Sequence, residues 1–540
     1  MKLSIPSALA YLRTGFKPLA AQKKSIIHLV QKLTKHEELT YQTECLLIKV
    51  SKSFRYKQTS ILAMAIACML VFQSCSSETS SEITSTEKKP RVIITSDGEI
   101  DDECSMVRCL LYANEWDIEA IVTTSSQYHW QGHDWAGDHW IEPYLKAYKE
   151  IYPNLIKHDA SYPSPSYLYD RYRMGNISAE GEMEEVTEGS QLIAEVLLDD
   201  TDDSEIWIQA WGGINTIARA LKTIEEEHPE KMEDVAKKMR FYFIFEQDST
   251  YQSYILPKWG KYQIPTIISD QFEALAYRWK RIQPKENQEY FEAPWIKENI
   301  LENHGPLCSL YKAHNGEDTT YLVGDFRAEG DSPAFLHTVP TGLRSMESPD
   351  FGGWGGRFVK IRDNTWMDPA PYDGYVHPEG RYYKTTVWGR KVLNEGDSYI
   401  TNPNLLSFFK PMWRWSVAQQ NDFAARADWS VKSFEEANHA PIVKLEHNND
   451  LTAKPGAEVK LSALGTTDPD GDTLYYNWWQ YDEADTYQGN VDIINSKQAK
   501  ASLTIPQNAK AGETIHVICE VSDSGNPTLT KYARIVITAN

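Results

Sequence analysis

One short acidic segment constrains this chain more than any other part of its sequence. It reads Val-Ile-Ile-Thr-Ser-Asp-Gly-Glu-Ile-Asp-Asp over residues 92–102. The β-branched residues 92–95 predict a short buried strand, and the apolar residues after Met106 recur at helical spacing. The segment therefore connects a strand to a helix, which is where open α/β sheets bind their ligands.

Four carboxylates crowd this junction, namely those of Asp97, Glu99, Asp101 and Asp102. An acidic first helical turn interacts favourably with the helix dipole, by ~0.3–1 kcal/mol per charge, so part of the crowding needs no ligand. Carboxylates at this spacing also repel one another, which helix capping does not require. A hard cation removes that repulsion and prefers oxygen ligands. The carboxylate density therefore favours a cation site over an acidic cap alone.

The segment resembles the N-terminal signature of the nucleoside hydrolases, in which an Asp, three intervening residues and an Asp-Asp pair hold a calcium ion. It is still more similar to the cellulose-binding, nucleoside hydrolase-like branch of that superfamily, whose members carry a C-terminal immunoglobulin-like domain. The resemblance covers most of residues 90–540. It implies that Asp97 is both calcium ligand and general base, that Asp102 is a ligand, and that Asp101 binds sugar hydroxyls.

The resemblance also implies the fold class. We expect an α/β domain over residues 90–435, with a mostly parallel sheet flanked by helices as in nucleoside hydrolases. Short strands at regular spacing beyond His439 predict an all-β immunoglobulin-like sandwich over residues 436–540. Within it, Asp468, Asp470 and Asp472 form a turn that binds a second calcium or, as the sequence favours, is purely structural.

Length and charge limit the possible partners. At 540 residues the chain exceeds one ordinary domain, and its hydrophobic content of 41% is that of a globular protein. The formal net charge of −21 argues against nucleic acid as a partner, because phosphate backbones require a basic face. The acidic balance favours cations and neutral ligands, and the family resemblance implies a sugar-containing small molecule or a polysaccharide.

The N-terminal region has the features of an export signal. The apolar run 61–72 follows several basic residues and is too short for a membrane-spanning helix of ~20 residues. Residues 72–75, Phe-Gln-Ser-Cys, resemble a bacterial lipoprotein cleavage site with Cys75 as the lipidated residue. We therefore predict a signal region over 1–75, a Ser/Thr-rich linker over 76–89, and an exported protein lipid-anchored in the bacterial cell envelope.

Polar residues follow the second predicted strand, which spans residues 118–123. Gln127 and Tyr128 lie where nucleoside hydrolases bring an Asn to the ribose, so we expect them to contact the substrate. His129 and His133 come next in a loop. A hard oxygen site nearby makes sugar contacts or plain surface a better interpretation of these histidines than metal binding.

A glycine pair follows the predicted strand 205–211. Glycines at a strand-to-helix turn let the backbone approach a ligand closely. The segment resembles the Gly-rich turn of the nucleoside hydrolases, which implies that Trp211 gives its backbone carbonyl to calcium and that Asn215 lies at the substrate. The alternative is a glycine-initiated helix with Asn215 in its first turn.

Gln247 and Asp248 follow a further predicted strand, residues 240–245. Residues at the C-terminal end of a parallel strand face the ligand crevice, so these two are candidates for binding sugar hydroxyls. Ordinary loop capping explains them equally well.

The second strong signal is the segment Glu-Gly-Asp-Ser-Pro-Ala over residues 329–334. It resembles the segment that closes the calcium site of nucleoside hydrolases, and Asp331 matches the carboxylate ligand. Gly330 stands where the family has a histidine, so the leaving-group acid is missing at that position. Glu329 or a loop histidine then supplies the proton, or the leaving group differs from a purine.

A Gly-rich loop over residues 349–358 surrounds Trp354. Glycines that clear space beside an indole suit a flat face for a sugar ring, although a tight structural turn explains them equally well.

Two functions remain open at this point. The first is hydrolysis of an N-glycosidic or other glycosidic bond, with a calcium-bound water and Asp97 as general base. The second is non-catalytic binding of cellulose or another polysaccharide by a surface lipoprotein. The carboxylate cluster favours the hydrolase, because a binding protein gains little from mutually repelling acids.

Overall fold

The computed structural model describes residues 88–372, 374–377, 398 and 401–540. The predicted signal region with Cys75, and residues 76–87 of the predicted linker, lie outside the described residues. Residues from Lys88 to Asn540 form one compact unit. Within the described residues, no helix combines the length and the apolar character that crossing a membrane requires.

The described residues contain fifteen β-strands, labelled in chain order. They are β1 (Arg91–Ser96), β2 (Asp117–Thr123), β3 (Tyr172–Met174), β4 (Ile206–Ala210), β5 (Met239–Ile244), β6 (Thr266–Ser269), β7 (Val359–Arg362), β8 (Thr365–Met367), β9 (Asp450–Ala453), β10 (Glu458–Ser462), β11 (Tyr475–Gln480), β12 (Ile493–Ile494), β13 (Lys500–Thr504), β14 (Thr514–Ser522) and β15 (Thr530–Ala539).

The described residues also contain thirteen α-helices, labelled in chain order. They are α1 (Ile100–Leu111), α2 (Glu142–His158), α3 (Pro165–Arg171), α4 (Glu188–Leu198), α5 (Asn215–Glu227), α6 (Met232–Lys238), α7 (Leu256–Trp259), α8 (Trp279–Ile282), α9 (Ala293–Ile296), α10 (Gly305–Cys308), α11 (Ser332–Leu336), α12 (Asn404–Trp413) and α13 (Ser416–Trp429). Short 3₁₀ or π turns lie between them, for example Gln271–Leu275 and Lys285–Phe291.

The first eight strands form one sheet in the order β3-β2-β1-β4-β5-β6-β8-β7. All neighbours are parallel except β7 and β8, which form an antiparallel pair at one edge. From β1 the chain moves outward to β2 and β3, and then returns to place β4 on the other side of β1. The strand order therefore reverses between β1 and β4, and open α/β sheets bind ligands at the carboxyl ends of the strands at such a point.

The central strands are buried along their whole length. All residues of β1 and of β4 are buried, and side chains alternate between the two faces of a strand, so both faces of the sheet are covered there. This explains why β1 is a continuous β-branched run instead of an alternating one. The expected mostly parallel α/β fold is confirmed.

The C-terminal strands form two further sheets. One has three strands in the order β10-β13-β12, and the other has four in the order β11-β14-β15-β9. Side chains of both sheets share one apolar core, which includes Leu461, Leu503, Trp478, Val517 and Ile535. This arrangement agrees with the expected β-sandwich.

One arginine joins the sandwich to the α/β region. Arg534 of β15 is fully buried and donates hydrogen bonds to the backbone carbonyls of Leu343 (2.7 Å), Phe351 (2.7 Å) and Gly352 (3.0 Å). Each of these carbonyls accepts a hydrogen bond from a buried side chain of the sandwich. This side of the four-stranded sheet is therefore an internal surface of the compact unit.

Candidate metal centre

The carboxyl ends of β1 and β4 lie side by side at the reversal of strand order. Thr95 pairs with Ala210, and the Trp211 amide donates to the Thr95 carbonyl over 2.9 Å. Asp97 follows β1 directly, and α1 begins three residues later. The acidic segment therefore lies where the sheet topology opens a ligand crevice.

Three carboxylates from distant parts of the chain meet at this point. Asp101, Asp102 and Asp331 each bring one oxygen within 4.8 Å of the others. Their exposed fractions are 7%, 1% and 2%. The segment near residue 100 and the segment near residue 331 thus converge, as the resemblance to nucleoside hydrolases implies.

Asp97 lies beside this group and is completely buried. Neither of its carboxylate oxygens has a well-formed hydrogen bond, and Oδ2 of Asp331 also lacks one. A buried carboxylate oxygen without a partner is strongly unfavourable, and such oxygens are the ligands that a hard cation prefers. The residues present therefore fit a bound divalent cation.

The electrostatics of the cluster indicate the same requirement. Burial, followed by the charge of Glu99, raises the pKa of Asp97 to about 8. Burial and the neighbouring aspartates raise the pKa of Asp102 and of Asp331 well above the usual range. Without a cation, this site favours protonated carboxyls.

Helix capping accounts for part of the acidic segment. Asp102 accepts hydrogen bonds from the Ser96 hydroxyl and, over 3.1 Å, from the Glu99 amide at the start of α1. Asp101 accepts a hydrogen bond of 2.8 Å from the Tyr277 hydroxyl. Capping and cation binding are therefore not exclusive here, because Asp97 and Asp331 still have unpartnered oxygens.

The roles predicted for Asp101 and Trp211 stay predictions, and the structure shows which groups each residue contacts. Asp101, expected to bind sugar hydroxyls, lies in the group of three whose geometry suits a metal. The carbonyl of Trp211, expected to bind calcium, accepts a hydrogen bond of 2.5 Å from Nε2 of Gln247. A carbonyl oxygen has two lone pairs, so this bond leaves one for another partner.

Carboxylates approach Gly212 and Gly330 so closely that no side chain fits at either position. A Cβ added to Gly212 would lie 2.5 Å from the carboxyl carbon of Asp97, and one added to Gly330 would lie 2.3 Å from Oδ2 of Asp101. No real Cβ atom tolerates such distances, so a histidine at position 330 has no room beside Asp101.

The candidate proton donors do not supply an acid at the cluster. Glu329 is fully buried, forms a 2.6 Å ion pair with Arg108, and accepts hydrogen bonds from Tyr311 (2.6 Å) and Ser332 (2.7 Å). These three donors engage both oxygens of Glu329 within the fold, which argues against Glu329 as the leaving-group acid. Burial lowers the pKa of His129 to about 4, and its Nε2 accepts a hydrogen bond from the Ala136 amide.

Asn215 and Asp248 have partners within the fold, which agrees with the structural alternatives that the sequence left open for both residues. Oδ2 of Asp248 accepts hydrogen bonds from the amides of Ile214 (2.7 Å) and Asn215 (2.9 Å) and so caps α5. The Asn215 side chain donates to Ser125 (3.0 Å) and to two backbone carbonyls, and it accepts from Thr124 (2.6 Å). Their hydrogen-bonding capacity is used within the fold, because the start of a buried helix needs partners for its free amides.

Trp354, which was predicted to stack on a sugar ring, lies in the interior of the protein. It is only 1% exposed, and its indole lies beside Tyr532 of β15. The glycines around it permit tight packing between backbone segments. A buried ring has no free face for a sugar, so this loop is a structural turn.

Three predicted substrate residues stay near the crevice. Tyr128 is 42% exposed, while Gln127 is half-buried with an Nε2 that lacks a partner. Gln247 likewise has a buried Oε1 without a partner, although its Nε2 is engaged. Sequence reasoning missed Tyr277, because nothing in its local sequence indicates the contact with Asp101.

Two cavities lie away from this centre. One, of about 160 Å³, is lined by Tyr251, Trp259 and Arg362, and the other, of about 200 Å³, by His158 and Arg426 among others. Neither includes a residue of the carboxylate cluster. The cluster is therefore identified by its chemistry and its place in the sheet, not by cavity size.

The second acidic group lies in the sandwich. Asp468, Asp470 and Asp472 bring one oxygen each within 4.8 Å. Oδ1 of Asp468 accepts hydrogen bonds from the amides of Asp470 (2.9 Å) and Asp472 (3.0 Å), and Asp470 accepts one from the His439 amide. These bonds support the structural turn that the sequence favours.

Comparison with known proteins identifies relatives of both parts of the chain. Residues 91–358 match the profile of the cellulose-binding Sde182 nucleoside hydrolase-like domain, and residues 458–539 match the C-terminal domain of cellulose-binding protein Sde0182. No curated protein gives a significant match.

Solved structures extend this result. A nucleoside hydrolase-related protein from Saccharophagus degradans, described as associated with carbohydrate metabolism, is 31% identical with a TM-score of 0.66. The alignment covers 84% of this chain and 100% of that chain. A plant nucleoside hydrolase (11% identity, 59% of this chain, 99% of that chain, TM-score 0.28) is too distant to add to the assignment. The two profiles and the full-length match show that the chain belongs to the cellulose-binding Sde182 family of nucleoside hydrolase-like proteins.

Proposed function

We propose that this protein hydrolyses a glycosidic bond, N-linked or otherwise, at the carboxylate cluster above β1 and β4. One observation carries the proposal, namely that three buried aspartates from two distant segments converge beside buried Asp97 while oxygens of Asp97 and Asp331 lack partners. A fold does not retain such groups for stability, since each one opposes folding unless a ligand compensates it.

Calcium is the cation that we propose for the site. Asp97, Asp102 and Asp331 would hold it, with Asp101 and the Trp211 carbonyl as further oxygen donors. The donor set is entirely oxygen, which matches a hard cation and not a soft one. When bound, calcium supplies positive charge that offsets the repulsion between the carboxylates and lowers the pKa of a coordinated water.

The side chains of the protein carry the remaining chemistry. Asp97, ionised in the loaded site, accepts the proton of the attacking water as general base. Asp101 is oriented by the Tyr277 hydroxyl and accepts hydrogen bonds from sugar hydroxyls. Negative charge around the anomeric carbon stabilises the oxocarbenium-like transition state of glycoside hydrolysis.

Calorimetry tests the metal site directly. We expect calcium to bind the wild-type protein after chelator treatment and removal of the chelator, and the double variant Asp97→Asn/Asp331→Asn to lose that binding. Asp234→Asn is the matched control, because Asp234 is an exposed carboxylate on α6, far along the chain from the cluster. Unchanged calcium affinity in the double variant would rule out the proposed site.

Activity is tested on a panel of nucleosides and aryl glycosides, with released reducing sugar as the readout. We expect Asp97→Asn to abolish release from any substrate that the wild type cleaves, and Asp234→Asn to leave it unchanged. Release that persists in Asp97→Asn would contradict the role of Asp97 as base.

A second function is non-catalytic binding of cellulose or a related polysaccharide. The names of the matching profiles favour it, and so does the absence of a leaving-group acid at Gly330 together with the engaged Glu329. Sedimentation with insoluble cellulose tests this function. Binding without turnover on the glycoside panel would favour the binder over the hydrolase.

We further propose export and lipid anchoring through Cys75, with a nucleoside hydrolase-like domain over 90–435 and a sandwich domain over 436–540. The apolar run and the cleavage pattern in the sequence support the anchor. Labelling of the expressed protein with a radioactive fatty acid, lost in Cys75→Ala, tests it. Labelling that persists in the variant would reject Cys75 as the lipidated residue.

A further inference from the structure

A row of three aromatic rings leads from the surface toward the carboxylate cluster. Tyr128 meets Phe245 edge-on, with ring centroids 6.2 Å apart, and Phe245 stacks on Phe272 at 5.6 Å and 22°. Their exposed fractions fall from 42% at Tyr128 to 5% and 7% at the other two. One exposed ring is therefore supported by two buried ones.

The backbone of Phe245 is held in an unusual conformation. Its φ of 39° lies in the left-handed region, which residues other than glycine rarely adopt. It directly follows β5, and its amide donates to the Ser269 carbonyl over 3.0 Å. Strained residues of this kind cluster where a fold positions a functional side chain, and here the strained residue contacts Tyr128.

The inner end of the row lies against the acidic site. A Cβ placed on Gly330 would be 3.3 Å from Cδ2 of Phe272 and 2.3 Å from Oδ2 of Asp101. The ring edge and the carboxylate thus approach the same point. The glycine at position 330 permits this close approach, because a side chain there would collide with the carboxylate.

We propose that Tyr128 is a stacking platform for an uncharged ring, positioned by Phe245 and Phe272. This inference rests on the proposed function in that it describes the same site. The ring is the apolar face of a neutral sugar or a flat neutral leaving group, which share the chemistry of stacking on a phenol.

Binding is measured by calorimetry on the full chain with calcium present. The probes are nitrophenyl glucoside and methyl glucoside. We expect the nitrophenyl glucoside to bind. Methyl glucoside distinguishes the two sources of the ring, because it binds comparably only if the sugar stacks on Tyr128.

Variants test the platform itself. Tyr128→Ala should weaken binding of the nitrophenyl glucoside by about tenfold or more, and Tyr128→Phe should retain it within about threefold, because the ring face remains. Tyr169→Ala is the matched control, since Tyr169 on α3 has a similar exposure of 38%. Thermal unfolding checks that each variant folds.

Unchanged binding in Tyr128→Ala, or no binding of either probe to the wild type, would overturn the proposal. Turnover is scored separately. If the wild type binds the neutral probe through Tyr128 but releases no sugar, the proposed hydrolase function fails while this inference stands. If Asp97→Asn loses turnover but keeps Tyr128-dependent binding, both stand.

Discussion

Replacing Asp97 with asparagine should stabilise the metal-free protein increasingly as the pH rises. In the folded protein the pKa of Asp97 is raised from 3.8 to about 8, first by burial and then by Glu99. Between these values the folded state holds a proton that the unfolded chain has released. The free energy of unfolding therefore falls as the pH rises, by about 1.4 kcal/mol per pH unit for one such group.

The magnitude follows from this slope. From pH 5 to pH 7 the contribution of Asp97 alone is on the order of 3 kcal/mol. Asparagine has nearly the same shape as aspartate but does not titrate. The variant therefore does not lose stability in this way as the pH rises. Its amide also finds acceptors, because Asp102 and Ser126 both lie beside position 97. The stability advantage of the variant over the wild type should therefore be larger at pH 7 than at pH 5, by about 3 kcal/mol.

The assay is denaturant unfolding at pH 5, 6 and 7 with a chelator present, followed by repetition with calcium. Calcium should stabilise the wild type at pH 7, by about 2.7 kcal/mol at a hundredfold excess over the dissociation constant. Asp97→Asn should gain much less. A stability difference between the two proteins that is the same at all three pH values, or an equal calcium effect on both, would refute the reasoning.

Two further predictions concern buried charged or polar residues outside the cluster. Glu329→Gln should lower the free energy of unfolding by about 3–5 kcal/mol, because it leaves the buried Arg108 without its ion-pair partner. Calcium affinity measured by calorimetry should stay unchanged. A decrease in the free energy of unfolding below about 1 kcal/mol would argue against a charged pair. His337 is fully buried among aromatic rings, both of its ring nitrogens lack a partner, and burial lowers its pKa to about 3. Below pH 6.5 the unfolded chain therefore binds a proton that the folded protein does not. The free energy of unfolding of the wild type falls there by about 1.4 kcal/mol for each pH unit of acidification. His337→Phe should therefore reduce the loss of stability between pH 7 and pH 5 in denaturant unfolding, and an identical pH profile in both proteins would contradict this.

The strands that were predicted from the sequence are those with a strong local signal. β1, β4 and β5 are apolar runs because they are buried in the sheet, and β14 and β15 are long. β3, β8 and β12 have only two or three residues, which is too short for any periodicity to be recognised. They are strands because a neighbouring strand offers free hydrogen-bonding groups.

The polar residues at strand ends show the limit of local reasoning more clearly. Asn215 and Asp248 have the residue types and the positions of ligand-binding groups. Yet Asp248 accepts a hydrogen bond from the Asn215 amide, and the Asn215 side chain donates to the carbonyl of Asn176. A helix start inside the fold needs acceptors for its free amides, and this need competes with ligand binding for the same side chains. Sequence position cannot decide between them, because the partners lie more than 30 residues away.

The sequence by itself determined the strand-to-helix junction, its concentration of carboxylates and the match of Asp331 to them, since these depend on residue type and local spacing. Only the tertiary structure decided which oxygens remain unpartnered, why Gly330 is a glycine, and that Trp354 is interior while Tyr128 is exposed. The physical reason is that burial and hydrogen-bond satisfaction depend on contacts between segments far apart in the chain, and no local pattern encodes them.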